Sequence, residues 1–262
     1  MCPSLPDTTG SAVPVSATPR VALVTGAGQG IGAAIAKRLH GQGLRVALLD
    51  KNGDGAAALA GELDPRGETA LSFHADVIDV GAVRNVVRDI TATWNAPDVL
   101  VNNAAATAAG SVWDIGLEEW DAVLATNLRS VFALTRLCAG EMRRRHWGRV
   151  INLASLAGQQ GGALAGAHYS ASKAGVLVLT KVFASELAAH GVTVNAVAPA
   201  AVLTPAAQAL DPEALARTVG TIPVGRAGLP SEVGGLVAYL ASEEAGYVTG
   251  ATFDINGGIH MR

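Results

Sequence analysis

Cysteine is almost missing from this chain of 262 residues, which carries two, Cys2 and Cys138. That excludes both the even, closely spaced set of a disulfide framework and the clustered thiolates of a zinc site. No metal is expected, and a reducing, cytoplasmic setting suits the composition. Charge is also sparse. Charged residues make up 16% of the chain and the net charge is −3, which gives no long-range attraction to phosphate backbones and excludes nucleic acid as an expected partner. The basic run from Arg143 to His146 is a local exception, and its place just before a strand fits a helix C-terminus, where the dipole favours cations. No uninterrupted apolar run reaches the roughly 18 residues that signal a membrane span, so no membrane partner is expected. Residues 1–19 are rich in Pro, Ser, Thr and Ala without the basic start or apolar core of a signal peptide, and are expected to form a disordered tail.

What the chain has in abundance is apolar residues, 50% of the total, enough for a large core in one α/β domain over 20–262. Short β-branched runs alternate with helical patterns and show no internal repeat. Strands are expected at Arg20 to Thr25, Arg45 to Leu49, Thr69 to Phe73, Asp98 to Ala105, Gly148 to Ser155, Val192 to Ala198 and Ala251 to Asn256. The alternation predicts right-handed crossovers and a doubly wound (Rossmann) domain: a seven-stranded, mainly parallel sheet with helices on both faces. The long helix from about Leu117 to Arg144 carries Asn127 in its middle, a residue of modest helix propensity that suggests an interruption there. The helix over 174–189 is apolar on nearly every side, so part of it is expected to pack on another subunit. Residues 200–221, mostly apolar, are expected to form a lid over substrate.

The first strand runs directly into Thr25-Gly26-Ala27-Gly28-Gln29-Gly30-Ile31-Gly32 and then a helix. Glycines there let backbone N–H groups approach a pyrophosphate at the positive end of the helix. Asp50 closes the second strand roughly 20 positions beyond that turn, where a carboxylate accepts from ribose hydroxyls and repels a 2′-phosphate. Gln29 adds no cation, so NAD is expected over NADP. Asp76 and Val77 offer a carboxylate and an amide to an adenine, and the amides of Asn102 and Asn103 suit strand tying as well as cofactor contact. Ser155 ends the fifth strand, on the edge where open parallel sheets bind ligands. Tyr169 and Lys173, four residues apart, share a helix face. A lysine there favours the phenolate, moving a pKa of about 10 toward neutrality and making proton transfer to a carbonyl feasible.

Taken in order, Thr25 to Gly32, Asp76, Asn102 to Ala104, Asn127, Ser155, Tyr169-x-x-x-Lys173 and Thr204 after Pro199 resemble the short-chain dehydrogenase/reductase family over about residues 20–262. The resemblance implies that Tyr169 is the general acid/base, that Lys173 lowers its pKa and holds the nicotinamide ribose, that Ser155 orients the carbonyl, and that Asn127 supports a proton-relay water. It further implies cofactor contacts from Gly26, Gln29, Gly30, Ile31, Gly32, Asn103, Ala104, Tyr169, Lys173, Pro199, Val202 and Thr204, and a homotetramer. Ala105 and Ala200 stand where members usually have glycine, so a tighter pocket is expected. Gly225-Arg226 and Tyr247 to Gly250 look most like the 3-oxoacyl carrier-protein reductases, which generally use NADPH. The expected function is an NAD(H)-dependent oxidoreductase that interconverts a small secondary alcohol and a ketone by hydride transfer. Two alternatives are an NADPH-dependent 3-oxoacyl thioester reductase and a non-catalytic dinucleotide-sensing protein.

Overall fold

The computed structural model describes residues 18–161, 165–208, 213, 217 and 219–261. Most of the expected tail and part of the expected lid therefore lie outside the described residues. Strands β1 (Val21–Thr25), β2 (Arg45–Asp50), β3 (Ala70–His74), β4 (Val99–Asn102), β5 (Gly148–Leu153), β6 (Val192–Pro199) and β7 (Thr252–Ile255) form one sheet. Its order is β3-β2-β1-β4-β5-β6-β7, and every neighbouring pair is parallel. Strands covered on both faces read as continuous apolar runs, and β1, β4, β5 and β6 are buried along their whole length.

Alternate residues of β1 show the two layers. Ala22 and Val24 pack with α1 (Gly30–Gly41) and α2 (Gly53–Leu63), whereas Val21 and Leu23 pack with the opposite layer, which holds α3 (Val80–Thr93). A helix spans Leu117 to Arg145, as expected, and it is interrupted: α4 (Leu117–Leu124) passes through one π-turn (Ala125–Arg129) into α5 (Ser130–Arg145). Asn127 lies in that turn, fully buried. The last turn of α5 carries the basic run, whose cations are paired locally: Arg145 with Asp98 at 2.8 Å, Arg144 with Glu141, and Arg143 with His190 at 3.3 Å.

Two strands end earlier than their apolar runs suggest. After β4 the Asn103 amide turns back onto the Val101 carbonyl, and β5 stops two residues short of Ser155. The glycine- and alanine-rich stretch after β5 contains a short helix, α6 (Ala157–Gln160), that periodicity did not reveal. Next comes α7 (Ala167–Leu187), which has Tyr169 in its first turn. Short α8 (Pro205–Gln208) and then α9 (Pro230–Leu240) follow, and α9 packs on the α1 side of the sheet. Among the described residues no helix is long and apolar enough to cross a membrane. Strand order reverses between β1 and β4, so their carboxyl ends diverge and open a crevice.

Candidate active site

That crevice is a cleft of about 260 Å³. Gly26 and Gly30 line it with φ of +63° and +57°, backbone angles that side chains resist. Gly32 is required by space: a Cβ there would lie 2.0 Å from the Gly26 carbonyl oxygen. The glycine turn therefore sits flush against the start of α1, whose first turn has no acidic residue to neutralise its positive end. Gln29 and Ile31 complete this wall.

Opposite stands Asp50, fixed by two backbone donors at 2.8 Å each, Gly28 N–H to Oδ2 and Asn52 N–H to Oδ1. Asp76 and Val77 line the same cleft, and Asp76 accepts from the Ile78 amide at 3.1 Å. Asn103 ties the turn down by donating from Nδ2 to the carbonyls of Thr25 (2.9 Å) and Gly26 (3.0 Å). Ala104, Ala105 and Thr204 close the mouth. Amides at the start of a helix for a pyrophosphate and a fixed carboxylate for ribose hydroxyls are the set a nicotinamide dinucleotide requires. Asn102, by contrast, is structural: its Nδ2 donates to Asn152 Oδ1 (2.8 Å) and Thr135 Oγ1 (3.2 Å) inside the core.

Pro199 and Val202 are not among the residues lining this cleft. Pro199 ends β6 and accepts from the Leu156 amide at 2.9 Å, while Val202 bridges to Gly228, so both set the backbone that carries Thr204. Lys51 does line the cleft, directly after Asp50, and sequence reasoning passed over it. Its adjacency to Asp50 was the available signal.

Beyond the end of β5 a second group of side chains gathers. The Ser155 hydroxyl accepts from the Ala157 amide at 3.1 Å, and Ser155 lies close enough to Tyr169 to favour its phenolate. Lys173 is buried, donates from Nζ to the Leu153 carbonyl at 2.6 Å, and lies 5.8 Å from the centre of the Tyr169 ring. Asn127 accepts from Ala106 N–H (2.8 Å) and donates to the Ala106 carbonyl (3.0 Å) and to Ser172 Oγ (3.1 Å). Ser172 in turn donates to the Tyr169 carbonyl at 2.7 Å. The side-chain amide of Asn127 is thus taken up by the protein, and a relay water would have to meet its main chain.

One expectation is corrected here. Burial pushes Tyr169 above the ordinary phenol value, and Ser155 only partly opposes it. Burial also pushes Lys173 down, to about 8. Taking a phenolate out of water costs more than the neighbouring Ser155 hydroxyl returns. In the protein alone Tyr169 is a protonated donor, not an acidified phenol.

A family model described as enoyl-(acyl carrier protein) reductase matches residues 26–260. Nodulation protein G of Azospirillum brasilense is 42% identical over 244 residues, covering 93% of this chain and 99% of that protein. A 3-oxoacyl-[acyl-carrier-protein] reductase of Vibrio cholerae is 40% identical over 242 residues, covering 92% and 98%. The crystal structure of a 3-oxoacyl-[acyl-carrier protein] reductase from Brucella melitensis with bound NAD superposes with a TM-score of 0.86 at 32% identity, covering 94% of this chain and 93% of that one. Sheet order, glycine turn and relatives agree: the chain belongs to the short-chain dehydrogenase/reductase family, as an oxidoreductase similar to the 3-oxoacyl carrier-protein reductases.

Proposed function

We propose that the protein interconverts a 3-oxoacyl thioester and its 3-hydroxy form, with NAD(H) as the redox partner. Several relatives are named for reduction of 3-oxoacyl groups, which favours this substrate over a simple ketone. The observation that carries the reaction class is the gathering of Ser155, Tyr169 and Lys173 just past the end of β5, on the carboxyl edge of the sheet.

Bound NADH would supply hydride from nicotinamide C4. The two hydroxyls hold the carbonyl oxygen, and Tyr169 gives it a proton, a step worth about 10²- to 10⁴-fold in rate. Lys173 supplies a nearby cation as the phenolate forms and a donor to the nicotinamide ribose. Asn127 holds the backbone at Ala106 and Ser172, keeping the first turn of α7 in place. With the cofactor bound, Gly26, Gln29, Gly30, Ile31 and Gly32 would hold the pyrophosphate, Asp76 and Val77 the adenine, and Asn103, Ala104 and Thr204 the nicotinamide end, with Pro199 and Val202 setting the backbone that carries Thr204. The cofactor choice rests on Asp50, whose fixed carboxylate disfavours a 2′-phosphate despite the neighbouring Lys51.

The assembly we favour is a homotetramer of 20–262 units in the cytoplasm. On α7, Val178 and Val182 are 60% and 52% exposed, and Val178 lines an apolar groove together with Leu124, Leu128 and Phe132. A second copy of the same face would cover it.

The test is one assay grid: acetoacetyl thioester and a simple ketone, each with NADH and NADPH. The thioester with NADH is expected to exceed the other combinations by about tenfold or more in kcat/KM, a difference of about 1.4 kcal/mol. Preference for NADPH overturns the cofactor assignment, and preference for the ketone overturns the substrate.

A further inference from the structure

We infer that His168 and Glu119 form a positioning pair that locks the segment following β4 to the first turn of α7, so that this segment and the Tyr169 phenol keep one spatial relation. The inference rests on the reaction assigned above. His168 directly precedes Tyr169 and is completely buried. Its Nε2 lies 3.0 Å from Oε1 of Glu119. A carboxylate only accepts, so Nε2 carries the proton. Glu119 belongs to the first turn of α4 and its side chain is 51% exposed, so the bond runs from the solvent edge into the interior.

The other ring nitrogen, Nδ1, is buried with no partner among the described residues. A buried polar atom without a partner costs free energy, and a leucine would fill the same space without that cost. The imidazole is therefore poorly explained by packing alone and better by its directional bond. The ring is also held in place: a Cβ on Gly166 would sit 2.3 Å from Cε1 and 2.6 Å from Nδ1, so the backbone lies directly against it.

The same segment is pinned at its start. Asn127 holds both backbone groups of Ala106, and Gly166 N–H donates to the Ala108 carbonyl at 2.9 Å. With Glu119 bound to His168, residues 106–119 are fastened at their start to Asn127 and to Gly166 at the head of α7, and at their end to the residue before Tyr169. Between the pins projects an apolar tip, with Trp113 90% exposed. The pins fix how far that tip stands from the phenol.

The experiment compares Glu119→Ala, His168→Leu, His168→Gln and the double variant E119A/H168L in the full chain. Hydrogen exchange of residues 106–119, which needs no substrate, is expected to quicken about fivefold in Glu119→Ala and His168→Leu. It should stay near wild type in His168→Gln, whose amide still donates to Glu119. KM for acetoacetyl thioester is expected to rise about tenfold in the same two variants, with NADH affinity unchanged. The double variant should be no worse than the more impaired single one. Wild-type exchange and KM in Glu119→Ala, an edge substitution that leaves the core intact, would overturn the pair. Additive losses in the double variant would overturn it too. If the wild-type protein turns over no thioester, the reaction assignment falls, while faster exchange still supports the pin.

Discussion

Helices α1 and α7 both begin at the sheet edge that carries the site, yet they are built on opposite plans. The α1 helix buries Ile35, Ala36 and Leu39 and meets the cleft with a first turn of Gly30, Ile31 and Gly32, two of them without a side chain. The α7 helix buries His168, Ser172, Lys173 and Thr180 among Val176, Ala184 and Leu187, and leaves Val178 and Val182 outside. A site made from backbone amides leaves the core behind it ordinary. A site made from side chains takes core positions for polar groups, and each then needs a partner: Lys173 the Leu153 carbonyl, Ser172 that of Tyr169, Thr180 that of Val176.

The largest expected effect tests the side-chain plan. Tyr169→Phe keeps the ring and removes the proton, so kcat should fall about 10³-fold while NADH affinity stays within about twofold. Near-full turnover would break the contrast at its strongest point. Gly32→Ala tests the backbone plan. Its methyl would meet the Gly26 carbonyl at 2.0 Å and Asn103 Nδ2 at 2.6 Å, so calorimetry should show a loss of about 3 kcal/mol together with weakened NADH binding. An alanine accommodated without either loss would mean that the turn is not space-limited.

A finer test uses pH. The folded-state pKa of Lys173 is about 8, below the ordinary lysine value of 10.5. The unfolded chain therefore binds that proton more tightly, and stability should rise with pH between these two values, by at most about 1.4 kcal/mol per pH unit. Below about 8 both states hold the proton and the contribution is flat. Urea unfolding of wild type against Lys173→Met across pH 7.5 to 10 isolates the effect, and parallel curves would remove the burial argument. The smallest expected effect concerns the outer face. Val178→Glu with Val182→Glu should halve or quarter the mass seen by light scattering while shifting Tm by only a few degrees. An unchanged mass would leave that apolar face without the partner proposed for it.

Much of this was legible because parallel strands covered on both faces announce themselves as short apolar runs, and because glycine at positions 26, 30 and 32 has backbone reasons that do not depend on distant residues. The interruption at Asn127 was legible for a similar reason, as a residue at odds with its helix. Ends of strands were less so. Asn103 continues the run of β4 in composition, but its backbone and side-chain amides bond elsewhere and turn the chain. What sequence spacing could not yield was dielectric. Tyr169 and Lys173 do share a helix face, yet their burial is set by elements far away in the chain, and burial reversed the expected direction for the phenol. The pairing of His168 with Glu119 spans 49 positions and left no local trace.

The π-turn at Ala125–Arg129 works as a phase shifter. One residue beyond the α-helical count advances everything after it by about 100° around the axis. That advance is what aims Ser130, Leu134, Cys138 and Met142 inward along α5. Deleting a single residue there would give a smoother helix and swing this whole row aside, taking the Asn127 anchor with it. The most regular version of the segment is the one that could not assemble the site.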